Sequence, residues 1–370
     1  MTETTRPDGT TPLRFAVVGC GVIGRVHARS IACADDATVT VTVDPVAAAA
    51  EDLADAYDAV AVPSLDEALL RADVDAVAIC TPSGSHAELA VRALEAGKHV
   101  VVEKPLDVSA VAASKLNAAV AAGDRTVTVI SQHRFDASSE TVHQAVREGR
   151  LGNLTSGVAS VAWWRSQSYY DSGDWRGTWS LDGGGALMNQ AIHTIDLLVW
   201  MMGRPVEVTA YANLLAHDGI EVEDTAVAVV RFDSGALGVI HGTTAAYPGL
   251  TARVQVHGSK GSAVIDDDRL TYFHAAPAGD PADGPAYGAG ASGNQASLVL
   301  PQDEPGQAAG ADPTALSDAH GLQYADFLDA VRHGRPPRVT VASATTTLQV
   351  ILAIYRSAEE RRPVPVPAEE

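Results

Sequence analysis

Three clusters of residues in this chain of 370 combine the side-chain types and spacings that chemistry requires. The first is Gly19, Gly21 and Gly24 in VVGCGVIG, the GxGxxG spacing. Its first glycine permits a tight turn, its second lets a pyrophosphate approach the backbone, and its third admits close helix packing. The helix opening at Val22 and Ile23 then offers N–H groups and a positive dipole end to phosphate. Asp44 lies 20 residues beyond Gly24. A carboxylate there can accept hydrogen bonds from both hydroxyls of an adenosine ribose and would repel a 2′-phosphate, and no cation follows at Pro45 or Val46. The cofactor expected is therefore NAD rather than NADP. Asp44 can also cap the next helix, and the two roles are compatible.

The second cluster follows two apolar runs. CTPSGSH places Thr81, Pro82 and His86, and VVEKP places Glu103 and Lys104, at strand ends where an open parallel sheet binds its ligands. A lysine beside an oxidised nicotinamide loses proton affinity through charge repulsion and desolvation, and can polarise a substrate hydroxyl. Taken alone, Lys-Pro after a strand is more often a surface turn. The third cluster is LDGGGALMNQAIHTIDLLVW, in which Asn189 and His193 share a helical face and Asp196 follows three residues on. Asp196 could orient the imidazole or be a solvated helix charge. The three glycines read as a turn that lets backbone and cofactor come close.

Four of the five tryptophans fall between 163 and 179, among Arg165, Tyr169, Tyr170 and Arg176. Aromatic faces stack on sugar C–H faces, and arginines grip hydroxyls, carboxylates or phosphates. Arg165, Tyr170, Trp175 and Arg176 are thus candidate substrate residues. Trp163 and Trp164 alternate on a strand, so at least one should be buried. His133 and Arg134, just past a strand, are candidate cleft residues. No metal is expected.

These residues need elements to hold them. Apolar runs at 14–19, 38–44, 74–82, 99–105 and 126–132 alternate with helical stretches, the pattern of a parallel sheet with right-handed crossovers. Ser64 with Glu67, and Ser85 with Glu88, have capping-box spacing. After Gln132 comes a helix at 138–148, then strand-like runs at 156–164, 206–215, 224–232, 235–244 and 253–259, interrupted by a helix at 186–201. The expected fold is α/β: a polar tail at 1–12, a parallel-sheet domain at 13–132, and an α+β domain at 133–370 with a mainly antiparallel sheet. Within the latter, 275–318 is rich in Ala, Gly and Pro and reads as a mobile insertion; helices at 320–333 and 342–359 follow.

The formal charge of −20 opposes nucleic acid as a partner. No apolar stretch is long enough to span a bilayer, and the first residues lack the layout of a secretory leader. Cys20, Cys33 and Cys80 have no paired spacing and read as buried, reduced thiols of a cytoplasmic protein.

Taken together, GCGVIG, TPSGSH, EKP, SQHRF and WRGTWSLDGGGALMNQAIHTIDL, in that order, resemble the Gfo/Idh/MocA oxidoreductases. The likeness covers about residues 13–262 and resumes at HGLQYADFLDAVRHGRPPRVT. It implies a Rossmann domain, then a domain with an open-faced sheet through which members associate as homodimers or homotetramers. It further implies NAD(P)-dependent oxidation of a secondary hydroxyl on a sugar, sugar derivative or cyclitol. The family's catalytic lysine matches Lys104, and its helical histidine matches His193. Inositol dehydrogenase-like members carry aspartate where this chain has Asn189. An amide can orient a substrate but cannot exchange a proton, so weight moves to Lys104 and His193. The GGGALMNQ form resembles branches similar to UDP-N-acetylglucosaminuronate 3-dehydrogenase and sugar-3-ketoreductases. Two other readings stay open: a non-catalytic NAD- and sugar-binding sensor or partner subunit, and an enzyme that retains NAD between two substrates.

Overall fold

The computed structural model describes residues 11–277, 293–301 and 317–368. The chain divides into two compact units. One comprises Met1–Gln132, Ser180–Gly183 and Asp312–Thr345; the other comprises His133–Trp179, Gly184–Ala311 and Thr346–Glu370.

The first unit is built on six parallel strands: β1 (Leu13–Val18), β2 (Ala37–Val43), β3 (Val60–Val62), β4 (Ala76–Ile79), β5 (His99–Val102) and β6 (Val127–Val129). Their order is β3-β2-β1-β4-β5-β6. Helices α1 (Val22–Cys33), α2 (Ala47–Asp55), α3 (Leu65–Leu69), α4 (His86–Glu95) and α5 (Ala110–Ala122) supply the crossovers. Every residue of β4 is buried, as a strand covered on both faces requires. The order reverses between β1 and β4, so their carboxyl ends at Val18 and Ile79 flank the crevice where such sheets bind nucleotides. Ser64 caps α3 as its spacing implies, accepting from the Glu67 amide at 3.3 Å. Ser85 does not repeat the motif. A 3-10 turn at Ser83–Ser85 precedes α4, and the Ser85 hydroxyl donates to the Pro82 carbonyl instead.

The second unit contains β7 (Leu154–Ala162), β8 (Pro205–Asn213), β9 (Thr225–Phe232), β10 (Leu237–Thr243), β11 (Ala252–Gly258), β12 (Gly261–Asp266) and β13 (Arg269–Ala275). Its helices are α6 (Ala137–Arg147), α7 (Gln167–Tyr170), α8 (Ile192–Met202) and α9 (Ala296–Val299). With β14 (Val364–Pro365) the sheet runs β13-β12-β11-β7-β10-β9-β8-β14. Among the described residues of this sheet only β7 and β10 pair in parallel. Alternation along the strands buries Ala210, Ala228 and Ile240 on one face and leaves Tyr211, Val227, Val229, Leu237 and Val239 exposed on the other.

Two helices complete the chain, α10 (Ser317–His333) and α11 (Val341–Glu360). The structure departs here from a single division at residue 132. Tyr324, Phe327 and Leu328 of α10 belong to the core formed by Phe15, Ile31 and Ala78, so α10 is part of the first unit. Of the 275–318 insertion, 278–292 and 302–316 lie outside the described residues. The described stretch at 293–301 is strapped to β13. Gln295 donates its amide to Phe273 O at 2.6 Å, and Asn294 Oδ1 accepts from Phe273 N. The three cysteines are free thiols, but Cys33 is exposed rather than buried.

Candidate active site

In the first unit the glycine spacing has two physical causes. Gly19 has φ +93°, and a Cβ there would stand 2.5 Å from Cys80 O; one at Gly24 would stand 1.9 Å from Gly19 O. Those two glycines are demanded by the protein itself. A Cβ at Gly21 meets nothing within 4 Å, so the space before it is open. Helix α1 starts there without a side-chain cap, and Val22 is exposed. Its first N–H groups have no partner within the helix and suit a pyrophosphate. Asp44 accepts Cys20 N at 3.0 Å through one oxygen and Val46 N at 2.9 Å through the other. Each oxygen keeps a lone pair for a ribose hydroxyl, so the residues present fit NAD. The cap residue of α2 is Val46, so Asp44 orders the turn before the helix rather than capping it.

Thr81 and Pro82 follow β4, and the Thr81 and Ser85 hydroxyls bond at 2.8 Å. Lys104 follows β5 and is half-buried. Two residues expected to face the cofactor turn into the protein instead. His86 is buried, with Nδ1 at 2.7 Å from Pro105 O and Nε2 at 2.7 Å from Thr81 O; it staples the TPSGSH loop to the EKP turn. Glu103 is also buried. Its Oε1 lies 2.8 Å from His27 Nε2 and 3.4 Å from His320 Nε2, and its Oε2 accepts Lys104 N at 2.9 Å. Burial opposes ionisation of Glu103, but the bonds from His27 and His320 hold its carboxyl well below the usual range. Burial lowers the His27 pKa. A neutral His27 donating from Nε2 and accepting the Tyr324 hydroxyl at Nδ1 satisfies every member. Glu103 thus anchors the lysine's backbone. His27, His320 and Tyr324 are distant in sequence and carry no local signal of this role.

In the second unit the helix begins with one π-helical turn, Ala186–Ala191, and continues as α8. Such turns frequently mark functional sites. Each of the preceding glycines is demanded by protein packing. A Cβ at Gly183 would fall 2.3 Å from Val108 Cγ1, at Gly184 2.1 Å from the Tyr355 hydroxyl, and at Gly185 1.8 Å from Glu223 O. Glu223 receives the helix start: Gly185 N donates to Oε2 at 2.9 Å, Leu187 N to Oε1 at 2.9 Å, and the Tyr355 hydroxyl to Oε1 at 3.0 Å. Burial nevertheless pushes its carboxyl up to about 7 against those bonds.

Asn189 is half-buried on the π turn and His193 on α8. The His193 ring meets His133 edge-on at 5.1 Å. His133 Nδ1 lies 2.8 Å from Asp136 and 3.2 Å from Asp268. Burial alone would lower its pKa, but the two carboxylates push it up to about 10. Asp196 neither orients His193 nor faces solvent. It is buried and holds Arg134 through two contacts of 2.6 Å, with the Thr347 hydroxyl donating at 2.8 Å. Arg134 is therefore a structural cation rather than a substrate ligand, a pairing hidden by the 62 residues between the partners. Tyr170 is likewise buried, its hydroxyl on Thr244 at 2.8 Å. Trp163, Trp164, Trp175 and Trp179 all retain exposure, so neither strand tryptophan is buried as expected. Arg165 and Arg176 do gather with Tyr169 and Trp175. The residue that links them, Gln190, lies in the quoted motif but carried no signal of its own.

A Rossmann sheet with an open glycine turn, and a carboxylate after β2 that keeps lone pairs to spare, is the form of a dinucleotide-binding domain. Residues 13–131 match the oxidoreductase family with an NAD-binding Rossmann fold, and residues 139–264 match the GFO/IDH/MocA C-terminal domain. The chain is 32% identical over 261 residues to inositol 2-dehydrogenase of Rhizobium meliloti, spanning 70% of this chain and 76% of that protein. It is 28% identical over 332 residues to levoglucosan dehydrogenase of Pseudarthrobacter phenanthrenivorans, spanning 80% of each. The WlbA dehydrogenase of Bordetella pertussis, solved in complex with NADH and UDP-GlcNAcA, superposes with a TM-score of 0.83 at 30% identity, covering 97% of this chain and 99% of that one. The chain belongs to the Gfo/Idh/MocA family of oxidoreductases, and its cofactor is NAD. No helix among the described residues is long and apolar enough to cross a membrane.

Proposed function

We propose that this protein is a cytoplasmic, homo-oligomeric dehydrogenase that transfers a hydride between a secondary hydroxyl of a sugar, sugar derivative or cyclitol and NAD. The observation that supports it most is Lys104 at the carboxyl end of β5, on a turn pinned from beneath by buried Glu103 and stapled by His86. Bound NAD supplies the acceptor for the hydride. The Lys104 ammonium stabilises charge on the substrate oxygen, and the His193 imidazole takes the hydroxyl proton. Asn189 can orient the substrate but moves no proton. That difference favours, within this class, the branches that act at a ring 3-position on a UDP-uronate or a keto sugar.

Lys104→Met should lower turnover by at least about 100-fold while NAD binding, read by NADH fluorescence, is retained. Near-normal turnover would reject the mechanism. A screen of polyols, inositols, glycosides and nucleotide sugars by NADH absorbance separates an enzyme from a sensor, since a sensor binds a sugar tightly and reduces no NAD with any of them.

A further inference from the structure

Arg165 and Arg176 pack on the aromatic residues of the second unit in a way that specifies what they bind. Arg165 lies over Trp163 at 5.1 Å and Tyr169 at 5.5 Å, donating NH2 to Gln190 Oε1 at 2.9 Å and NH1 to Trp164 O at 3.2 Å. Arg176 lies between Tyr169 at 4.4 Å and Trp175 at 4.5 Å, donating NH1 to the Tyr169 oxygen at 2.8 Å and Nε to Ser172 at 3.1 Å. Gln190 Nε2 gives the Tyr169 oxygen its second bond, at 2.9 Å. The Arg165 backbone is fixed in turn, because its carbonyl meets His217 Nε2 at 2.8 Å and His217 is bonded to buried Asp224.

Donors and acceptors in this cluster do not balance. The Gln190 oxygen accepts from Arg165, and both lone pairs of the Tyr169 oxygen are taken by Arg176 and Gln190. On Arg165, Tyr169 and Arg176 themselves, what remains is donors only: guanidinium N–H groups on the two arginines and the Tyr169 hydroxyl proton. Among the described residues neither guanidinium is ion-paired with a carboxylate, whereas Arg134 in the same unit is closed off by Asp196. Aromatic faces stabilise such cations without neutralising them. Two uncompensated cations sharing one tyrosine ring repel each other, and an anion between them removes that repulsion. In a chain of formal charge −20, two arginines brought together without an ion pair are a local concentration of positive charge. The cluster is also joined, through Gln190, to the π turn that carries Asn189.

We propose that Arg165, Tyr169 and Arg176 form an anion subsite, and that the substrate is a sugar bearing a carboxylate or phosphate group. The inference rests on the sugar dehydrogenase reading and sharpens it to acidic sugars.

The test is NADH formation with matched pairs: each uronic acid against its neutral hexose, and each sugar phosphate against its free sugar, with UDP-linked members of both kinds. The charged member should be preferred in kcat/KM, and the pair it belongs to identifies carboxylate or phosphate as the group held. In Arg176→Met the charged-to-neutral preference should fall about 10- to 100-fold, chiefly through KM, as loss of a charge-assisted contact predicts. Arg176→Lys should restore part of it. Equal use of both members, or a preference unchanged in Arg176→Met with an unchanged melting temperature, overturns the subsite. If no member is oxidised, quenching of tryptophan fluorescence by the acidic sugars alone, lost in Arg176→Met, upholds the subsite while rejecting the dehydrogenase. Absence of both turnover and quenching rejects both.

Discussion

Lys104 and His193 are placed by polar groups that never leave the protein. Beneath Lys104 the carboxylate of Glu103 is ionised and enclosed, so the lysine's backbone is tied to a charge that cannot move. Beside His193 stands His133, a cation between two carboxylates. The His133 pKa is raised from 6.5 to about 10, so it binds a proton in the folded state that it has lost in the unfolded one. Its stabilising contribution is complete below pH 6.5 and disappears as pH climbs towards 10. Urea midpoints measured across that range should fall with pH in the natural protein, and Asp268→Asn should flatten the fall. Parallel curves for the two proteins would show that the cluster is not protonated as described.

Among the elements, the π turn and α8 depend most on a residue far along the chain. Glu223 accepts two N–H groups from the helix start, which would otherwise be buried without partners. Its carboxyl is raised from 4.5 to about 7, so the folded state holds a proton that the unfolded state releases first. Its contribution therefore weakens as pH rises from 4.5 to 7, opposite in sense to an ordinary salt-bridged carboxylate. Glu223→Gln removes this dependence but turns an amide N–H towards a helix N–H. We expect a loss of about 1–3 kcal/mol in chemical denaturation, with a lower kcat because Asn189 lies on that turn and His193 on the helix that continues it. A variant equal to the natural protein in stability and kcat would exclude this role for Glu223.

At the scale of the whole molecule, the open face of the eight-stranded sheet is the exposed apolar surface that most invites a partner. Val229 and Val239 are directly paired across β9 and β10 and remain 53% and 45% exposed, with Tyr211, Val227 and Leu237 around them. A contiguous patch of that kind is unusual on a lone soluble chain. Replacing Val229 and Val239 together by lysine should convert an assembly to monomers in light scattering while circular dichroism stays unchanged. A natural protein that is already monomeric would refute the assignment of this face to self-association.

The sequence by itself determined the parallel sheet, its glycine turn, the acid after β2, the lysine after β5 and the family, because these rest on local spacing and strand patterning. The capping box at Ser64 was legible for the same reason, since both partners lie within one turn. Tertiary structure alone decided which polar groups are satisfied internally. Arg134 and Asp196, Glu103 and His320, and Glu223 and Gly185 find each other across 62, 217 and 38 residues, and no local pattern records such a meeting. It also decided that α10 completes the first core and that the three glycines make room for Val108, Tyr355 and Glu223. Composition marks which residues can bond. Only the folded chain consumes their hydrogen-bonding capacity, and what it leaves at Arg165, Tyr169 and Arg176 are donors.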